Sequence, residues 1–193
     1  MSTDRRPQGA AEVRDALLAS AERLFAEEDP GTVSLRRIAA DADVNYGLVH
    51  RHLGSKLDVV EATVRRRSNA YVPSDAAADD PIERLTEMVN HYLQGPAVAR
   101  TLAWAAMTGA DPHRLVDGLP DVTELVEMLK ERSGDTASAQ MFVAFAAAAV
   151  LGLGVFGEIA MVAAGAPEDD LDELKERAAE WLGDLAARLG LEP

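Results

Sequence analysis

The sequence contains no cysteine, which excludes disulfides, thiolate zinc sites and cysteine nucleophiles. It also lacks the alternation of apolar and polar residues that indicates a β-strand. It has no glycine-rich loop that could hold a phosphate, and no Ser/His/Asp set or carboxylate pair with a supporting motif. We therefore predict no catalytic residues, no metal site and no cofactor.

Basic residues are scarce in the second part of the chain. Residues 1–70 carry 11 Lys or Arg and 11 Asp or Glu, whereas residues 71–193 carry 8 and 22. The whole net charge of −14 therefore belongs to residues 71–193. Because an acidic surface repels a polyanion, only the first part is suited to approach one. This asymmetry indicates two functions and predicts two domains, residues 1–70 and 71–193.

The N-terminus has no apolar signal core, so we expect a cytoplasmic protein. One segment, Thr136 to Gly157, has 22 residues without a charge. As a helix it would span about 33 Å, enough to cross a bilayer. It is rich in Ala and Gly, and neither flank carries Lys or Arg. We therefore interpret it as a helix buried on all sides of a soluble domain, without membrane attachment.

Apolar residues recur at steps of three and four, and Pro and Gly fall at regular breaks. We predict an all-α protein of about nine helices, with a small N-terminal helix-turn-helix module followed by a larger helical bundle. Ser34, Asn45 and Ser55 are predicted N-caps of the second, third and fourth helices, and Asp58 completes a capping box. The stretch from Val72 to Pro81 is predicted to be a loop.

The second and third helices, joined by the tight turn "DADVN", match the helix-turn-helix pattern. Such a unit places its second helix in the DNA major groove. The outer face of that helix must be free of acid, because phosphates line the groove. The run from Val44 to Lys56 contains no acid. Val44, Val49 and Leu53 are predicted to face the core, which leaves the polar residues on the outer face.

The segment from Thr32 to Val64, "TVSLRRIAADADVNYGLVHRHLGSKLDVVEATV", resembles the N-terminal domain of the tetracycline-repressor (TetR-type) family of bacterial transcriptional regulators. The resemblance covers about residues 10–68. It lies in the residues Ile38-Ala39, Ala42, Val44-x-x-Gly47 and Gly54-Ser55-Lys56. It implies an N-terminal DNA-binding domain and a C-terminal helical domain that binds an effector and dimerises.

Four departures from the family pattern concern the operator sequence rather than the fold. Asp43 stands where the family usually has Gly, Tyr46 where it often has Lys or Arg, His50 where it has a tyrosine, and Leu53 where it has a phenylalanine. A left-handed backbone costs Asp less than most residues.

The resemblance and the outward positions together predict nine DNA-contacting residues. They are Ser34, Asn45, Tyr46, Gly47, Leu48, His50, Arg51, His52 and Lys56. Tyr46, Leu48 and Arg51 are the predicted base readers. His50, His52 and Lys56 are predicted to contact phosphates. The two histidines do not share a helical face, so they form a poor metal pair. For Arg65-Arg66-Arg67 two alternatives remain open. One is DNA contact, and the other is interaction with the helix C-terminal dipole or pairing with acids.

The family typically dimerises through its last two long helices and encloses an effector pocket. Here the helix Asp135–Ala164 is apolar nearly all round, and the last helix carries a stripe of leucines. One chain of this length would struggle to bury both, so we predict a homodimer through these two helices. The alternative is that both are internal core.

Candidates for the pocket are Met, His and aromatic residues of the second part, because such side chains suit an adaptable apolar ligand. Most residues of this kind are plain core in other proteins. The candidates are Met88, His91, Tyr92, Trp104, Met107, Met128, Met141, Phe142 and Phe145.

We therefore predict a cytoplasmic, ligand-responsive regulator that binds a palindromic, double-stranded DNA operator as a homodimer. We expect a repressor, released by a small apolar molecule that changes the spacing of about 34 Å between two recognition helices. An activator, or a repressor without an effector, is an alternative within regulation. Other classes are an all-α enzyme or small-molecule-binding protein that has lost operator binding, and a membrane-attached helical protein.

Overall fold

The computed structural model describes residues 7, 9–93, 96–116, 119–167 and 170–190 of the 193-residue chain. Over these residues the protein has eleven helices and no strand. The helices are α1 (Ala10–Glu27), α2 (Leu35–Asp41), α3 (Tyr46–His52), α4 (Lys56–Asn69), α5 (Asp75–Asp79), α6 (Pro81–Leu93), α7 (Pro96–Met107), α8 (Pro112–Val116), α9 (Pro120–Ser133), α10 (Thr136–Ala164) and α11 (Leu171–Arg188). The all-α prediction is confirmed, with slightly more helices than expected.

One of the additional helices, α5, lies in the stretch predicted to be a loop, so that prediction is wrong in part. Ser74 begins α5, because its hydroxyl oxygen accepts a hydrogen bond from the Ala77 N–H at 3.3 Å. Three successive alanines favour a helix, and Ala77 is fully buried. At the end of the stretch, the Asp80 carboxylate accepts from the Ile82 N–H at 2.8 Å and begins α6.

The helices form two compact units. The first unit contains residues 1–67 and 100–118, and the second contains residues 68–99 and 119–193. The last two turns of α7, with α8, therefore pack with the N-terminal helices. The functional division into residues 1–70 and 71–193 stays a prediction.

In the first unit, α1, α2 and α3 pack on one another around an apolar core. Phe25 of α1, Ile38 of α2 and Val49 of α3 are at most 1% exposed. Ala105 of α7 is fully buried in the same core. This core holds the two helices of the helix-turn-helix pattern against α1.

In the second unit, α6 packs against α11, and α9 and α10 pack against each other. Leu125 and Leu129 of α9 and Phe142 of α10 are buried in a second core. Gly154 of α10 allows a close approach to α7, since a Cβ at this position would lie 2.4 Å from the Cβ of Ala99. The second unit is therefore a helical bundle with α10 as its longest member.

The interpretation of α10 as a helix buried on all sides is wrong for the single chain. Of its most apolar segment of 18 residues, only 22% is buried. By length and composition alone, α10 could cross a membrane. Phe145, Phe156, Ile159 and Val162 are all more than half exposed. The contacts of α10 with α6, α9 and α11 cover one face of the helix and leave the opposite apolar face in solvent.

Asp43 generates a prediction about stability. Its φ of 50° is the one positive value at a non-glycine residue in the described part of the chain. The left-handed region costs ordinary residues about 1–2 kcal/mol, and a β-branched side chain is poorly tolerated there. We expect Asp43→Val to lower the free energy of unfolding by about 1–2 kcal/mol relative to Asp43→Gly, as measured by urea denaturation.

Both substitutions remove the carboxylate, so their difference isolates the backbone effect. Equal stability of the Val and Gly variants would contradict a strained backbone at this turn.

Candidate nucleic-acid interface

Two short-range hydrogen bonds set the starts of α2 and α3. The Ser34 hydroxyl oxygen accepts from the Arg37 N–H at 3.2 Å, and the Asn45 side-chain amide oxygen Oδ1 accepts from the Gly47 N–H at 2.9 Å. Both residues are N-caps as predicted, and Ser and Asn are among the preferred residues there. Their side chains lie at the surface, on the solvent side of the two helices.

The inner face of α3 is buried as its sequence predicts. Val44, Val49 and Leu53 are 9%, 0% and 7% exposed. With Val49 pointing into the core, the side chains of His50 and Arg51 are placed in solvent.

The predicted DNA contacts on α3 differ in exposure. Asn45, Tyr46, Gly47, His50 and Arg51 are exposed, with Tyr46 at 39%. Leu48 and His52 are half-buried, and Leu48 packs against the core of the first unit. The backbone carbonyl of His52 accepts from the Arg14 guanidinium at 2.8 Å.

Three exposed side chains form a cluster that the sequence did not predict. The Tyr46 hydroxyl lies 3.0 Å from Nε2 of His50, and the two rings meet edge to face. The Arg36 guanidinium of α2 lies 5.2 Å from the centre of the Tyr46 ring, within the range of a cation–π contact. Arg36 therefore adds a cation beside the predicted base readers.

Arg36 and Arg37 are adjacent in sequence but have different partners. Arg37 forms an ion pair with Glu28 at 2.6 Å, whereas Arg36 contacts Tyr46. Successive side chains of a helix point about 100° apart. This rotation is the sequence signal from which different partners could have been predicted for the two arginines.

A capping box begins α4. The Asp58 carboxylate accepts from the Ser55 N–H at 2.7 Å and from the Ser55 hydroxyl at 2.6 Å. The same carboxylate accepts from Arg114 of α8 at 2.8 Å. The hydrogen bonds from Ser55, then that from Arg114, lower the pKa of Asp58 to about 2. The start of α4 therefore carries a carboxylate that stays ionised at any ordinary pH.

Lys56, predicted to contact phosphate, is held by the protein itself in the structure. Its ammonium donates to the Gly31 carbonyl at 2.9 Å and lies 4.9 Å from the centre of the Trp104 ring. Burial lowers the pKa of the Lys56 amine, with Asp29 acting in the opposite direction.

In the Arg65-Arg66-Arg67 run, Arg66 pairs with acids of α1. It forms an ion pair with Asp15 and lies 3.3 Å from Glu22. This arrangement corresponds to the second of the two alternatives for this residue.

Two of the predicted pocket residues, Met88 and Tyr92, line a cavity of about 60 Å³ between α6, α9 and α10. Phe142 lies in the surrounding core and is 3% exposed. The His91 ring lies beside the Tyr92 ring, with centres 5.3 Å apart. Met128 is half-buried on α9. These residues share the second unit.

The other four candidates lie elsewhere. Trp104 and Met107 belong to the first unit, where Met107 is 81% exposed. Met141 is 75% exposed on α10. Phe145 lines an open groove between α10 and α11. Only some of the nine candidate residues therefore lie in or near the cavity. The assignment of an effector pocket stays a prediction.

A buried polar network borders the cavity residue Tyr92. Its hydroxyl donates to the Asp121 carboxylate at 2.6 Å, and the Ser68 hydroxyl donates to the other oxygen of that carboxylate at 2.6 Å. Asp121 is 7% exposed. The sequence did not indicate this carboxylate, because its partners lie on α4 and α6.

The groove between α10 and α11 has a volume of about 750 Å³ and is largely apolar. Its lining includes Phe145, Gly152, Phe156, Trp181, Leu185 and Arg188. Among the residues that the structure describes, no group of three or more His, Asp or Glu side chains is placed to hold a metal ion.

Comparisons with known proteins give one consistent result. Residues 17–63 match the family described as bacterial regulatory proteins, tetR family. Over 197 aligned residues, the chain is 36% identical to the HTH-type transcriptional repressor Rv3405c of Mycobacterium tuberculosis and to the HTH-type transcriptional regulator Mb3439c of Mycobacterium bovis. Each alignment covers 100% of this chain and 97% of the relative.

Solved structures share the fold. The crystal structure of BioQ from Mycobacterium smegmatis has a TM-score of 0.65 at 18% identity, covering 92% of this chain and 98% of that one. BioQ with its natural double-stranded DNA operator has a TM-score of 0.59 at 17% identity, covering 95% and 98%.

The capping box generates a pH prediction. The pKa of Asp58 is lower in the folded state, so its contribution to stability is present above the ordinary pKa of 3.8. The contribution is lost as the pH falls from about 4 towards 2. We expect Asp58→Ala to lower the melting temperature at pH 7 and to have a shrinking effect as the pH falls below 4. Thermal unfolding between pH 7 and pH 3 measures this difference.

Asp172→Ala is the control, because Asp172 is exposed in the first turn of α11 and pairs with Lys175. A difference between Asp58→Ala and the wild type that is constant over the whole pH range would contradict the assignment.

Proposed function

This chain belongs to the TetR family of bacterial helix-turn-helix transcriptional regulators, and we propose that it is a homodimeric repressor released from its operator by a small apolar molecule. One observation carries the DNA-binding part of the proposal. The acid-free helix α3 buries Val49 and leaves Tyr46, His50 and Arg51 exposed. The full-length similarity to a protein named a repressor supports repression over activation.

The chemistry of the α3 surface suits a DNA groove. Arg51 is exposed and can donate two hydrogen bonds to the edge of a guanine. The Tyr46 ring, with Arg36 beside it, offers a flat surface for base edges and a cation for a phosphate. Ser34 and Asn45 lie at the surface and can also donate to phosphates. In this proposal Tyr46, Leu48 and Arg51 read bases, and Gly47 lets the backbone approach DNA.

The roles of the remaining predicted contacts follow from where they lie. His50 is exposed beside Tyr46 and is assigned to phosphate. His52 is half-buried, so only part of its ring is available to a phosphate. Lys56 must leave Gly31 and Trp104 before it can reach one.

The uncovered face of α10 and the groove beside α11 support a homodimer. Phe156 is 60% exposed and Trp181 is 51% exposed, and both line the groove. Exposed apolar surface of this extent indicates an interaction site. A second copy can cover it with the same surface under two-fold symmetry. A bilayer is the less suitable partner, because the charged residue Glu158 lies within α10.

Two-fold symmetry also supports a palindromic operator. A dimer presents two recognition helices, which must lie about 34 Å apart to enter successive major grooves of DNA. Because the target is chromosomal DNA, we place the protein in the cytoplasm.

The lining of the cavity between α6, α9 and α10 supports an apolar effector, which must widen the cavity from its volume of about 60 Å³, because ligand pockets have volumes of about 300–1,000 Å³. It is lined by Met88, Val89, Val143 and other aliphatic residues, with Tyr92 as the aromatic member. The Tyr92 hydroxyl is engaged with Asp121, so the lining offers mainly apolar contact. A ligand there changes operator affinity only if it binds the two states of the dimer differently, and DNA must then weaken the ligand in return.

Arg51 provides the test of base reading. We expect Arg51→Ala to lower the ratio of operator affinity to random-duplex affinity by about 10- to 100-fold, because a bidentate contact to guanine discriminates by roughly 1–3 kcal/mol. Fluorescence anisotropy with an operator selected from the chain's own upstream DNA measures both affinities.

Arg65→Ala is the matched control, since Arg65 is an exposed arginine outside α3. It removes the same charge and should leave the affinity ratio unchanged. An Arg51→Ala protein with the ratio of the wild type would show that this residue does not read bases.

The dimer is tested at Phe156. We expect Phe156→Glu to convert a dimeric protein to a monomer, because it places a charge in the proposed apolar interface. Sedimentation equilibrium measures the mass, and operator binding should weaken in parallel.

Val72→Glu is the control, because Val72 is 80% exposed in the second unit and lies outside the groove. A wild-type protein that is monomeric at micromolar concentration, or a dimer that persists in Phe156→Glu, would rule out this interface.

A further inference from the structure

We propose that Trp104 is a positioning residue for DNA binding, which holds the Lys56 ammonium against the Gly31 carbonyl and thereby withholds one cation from the DNA phosphates. This inference rests on the proposed DNA-binding function. It gives the part of α7 that lies in the first unit an effect on operator affinity, which acts through Lys56.

The contact joins three segments of the first unit. Lys56 opens α4, Gly31 lies in the connection between α1 and α2, and Trp104 lies on α7. The Lys56 Nζ donates to the Gly31 carbonyl at 2.9 Å and lies 4.9 Å from the Trp104 ring centre. An ammonium at this distance from an indole face is within the range of a cation–π contact.

Gly31 is what allows Trp104 to lie so close. A Cβ at position 31 would lie 3.1 Å from the indole nitrogen of Trp104 and 2.7 Å from the Asp29 carboxylate. The Gly31 N–H also donates to that carboxylate. The indole therefore packs directly on the backbone whose carbonyl holds Lys56.

Lys56 is not required to neutralise the acids of its own helix. Asp58 and Glu61 both pair with Arg114, at 2.8 Å and 2.7 Å. The direct contacts of Lys56 are instead a neutral carbonyl and a π face. A phosphate oxygen is a stronger acceptor than either, because it carries a charge. The contact is therefore one that DNA can break.

Burial of the ammonium also makes the contact with Trp104 easier for DNA to break. Lys56 is half-buried, and desolvation lowers the pKa of its amine. Moving the ammonium from the indole to a phosphate at the surface returns part of it to water. In the wild type the indole and the phosphate compete for this ammonium, so Lys56 lies on the phosphate in only part of the DNA-bound population.

The experiment measures the salt dependence of duplex binding for Trp104→Leu, Trp104→Phe, Lys56→Met and the double variant Trp104→Leu/Lys56→Met. The probe is the selected operator duplex, between 50 and 200 mM salt. We expect Trp104→Leu to bind several-fold more tightly at low salt. The slope of log affinity against log salt should be steeper by up to about 0.9 per additional phosphate contact, and so by up to about 1.8 for the two copies of Lys56 in a dimer. Trp104→Phe retains a π face and should stay close to the wild type.

The double variant separates positioning from packing. If Trp104 acts through Lys56, Trp104→Leu/Lys56→Met has the same slope as Lys56→Met alone. If Trp104→Leu instead weakens binding at every salt concentration with the slope of the wild type, Trp104 is only a packing residue and the inference is wrong.

Fluorescence gives a second readout that needs no gain in affinity. The chain has two tryptophans, so Trp181→Phe leaves Trp104 as the sole indole emitter. Adding the operator duplex should change this emission, because the cation leaves the ring, and Lys56→Met should abolish the change. The Trp181→Phe protein is first shown by anisotropy to bind the duplex as the wild type does, because Trp181 lines the proposed dimer groove. Unchanged emission of a Trp181→Phe protein that binds the duplex overturns the inference.

These outcomes are distinct from failure of the proposed function. Duplex binding that depends on Arg51, with no effect of Trp104 on salt slope or emission, defeats only the role of Trp104. A wild-type protein that binds no duplex DNA defeats both.

Discussion

The packing of Val49 into the core of the first unit is the contact on which the candidate DNA surface depends. Helix α3 has only seven residues, and isolated helices of this length are not stable in water. Its orientation comes from Val49, which is completely buried, and from Val44 and Leu53 at its two ends. The direction in which Arg51 points is therefore decided by three buried aliphatic residues, Val44, Val49 and Leu53, none of which is a proposed DNA contact.

Local features of the fold were predictable because their partners lie within a few residues. Ser34 and Asn45 each accept a hydrogen bond from an N–H group two or three residues further on, so sequence spacing alone identifies them as N-caps. The short helix α5 was missed because its five residues are too few for an apolar period to appear, although Ser74 and the three alanines favour it.

Contacts between distant segments were not predictable in the same way. From the sequence we predicted that Lys56 contacts phosphate, but its ammonium donates to the backbone carbonyl of Gly31, 25 residues away. Trp104 was grouped with Met88 because both side chains suit a ligand, yet the chain returns at residue 100 to the first unit. Composition identifies residues capable of lining a pocket, whereas the path of the chain decides which of them meet.

The uncovered apolar face of α10 affects the stability and degradation of a newly synthesised chain that has no partner. In the proposed homodimer, a chain without a partner keeps Phe156 and Ile159 in water, and its folded state lacks the stability that association supplies. Proteases and chaperones act on the least stable population, so unpaired copies are removed first. When few chains are present, most are unpaired and are degraded. The amount of dimer, and with it the occupancy of the operator, then falls sharply once synthesis drops below the level at which chains pair.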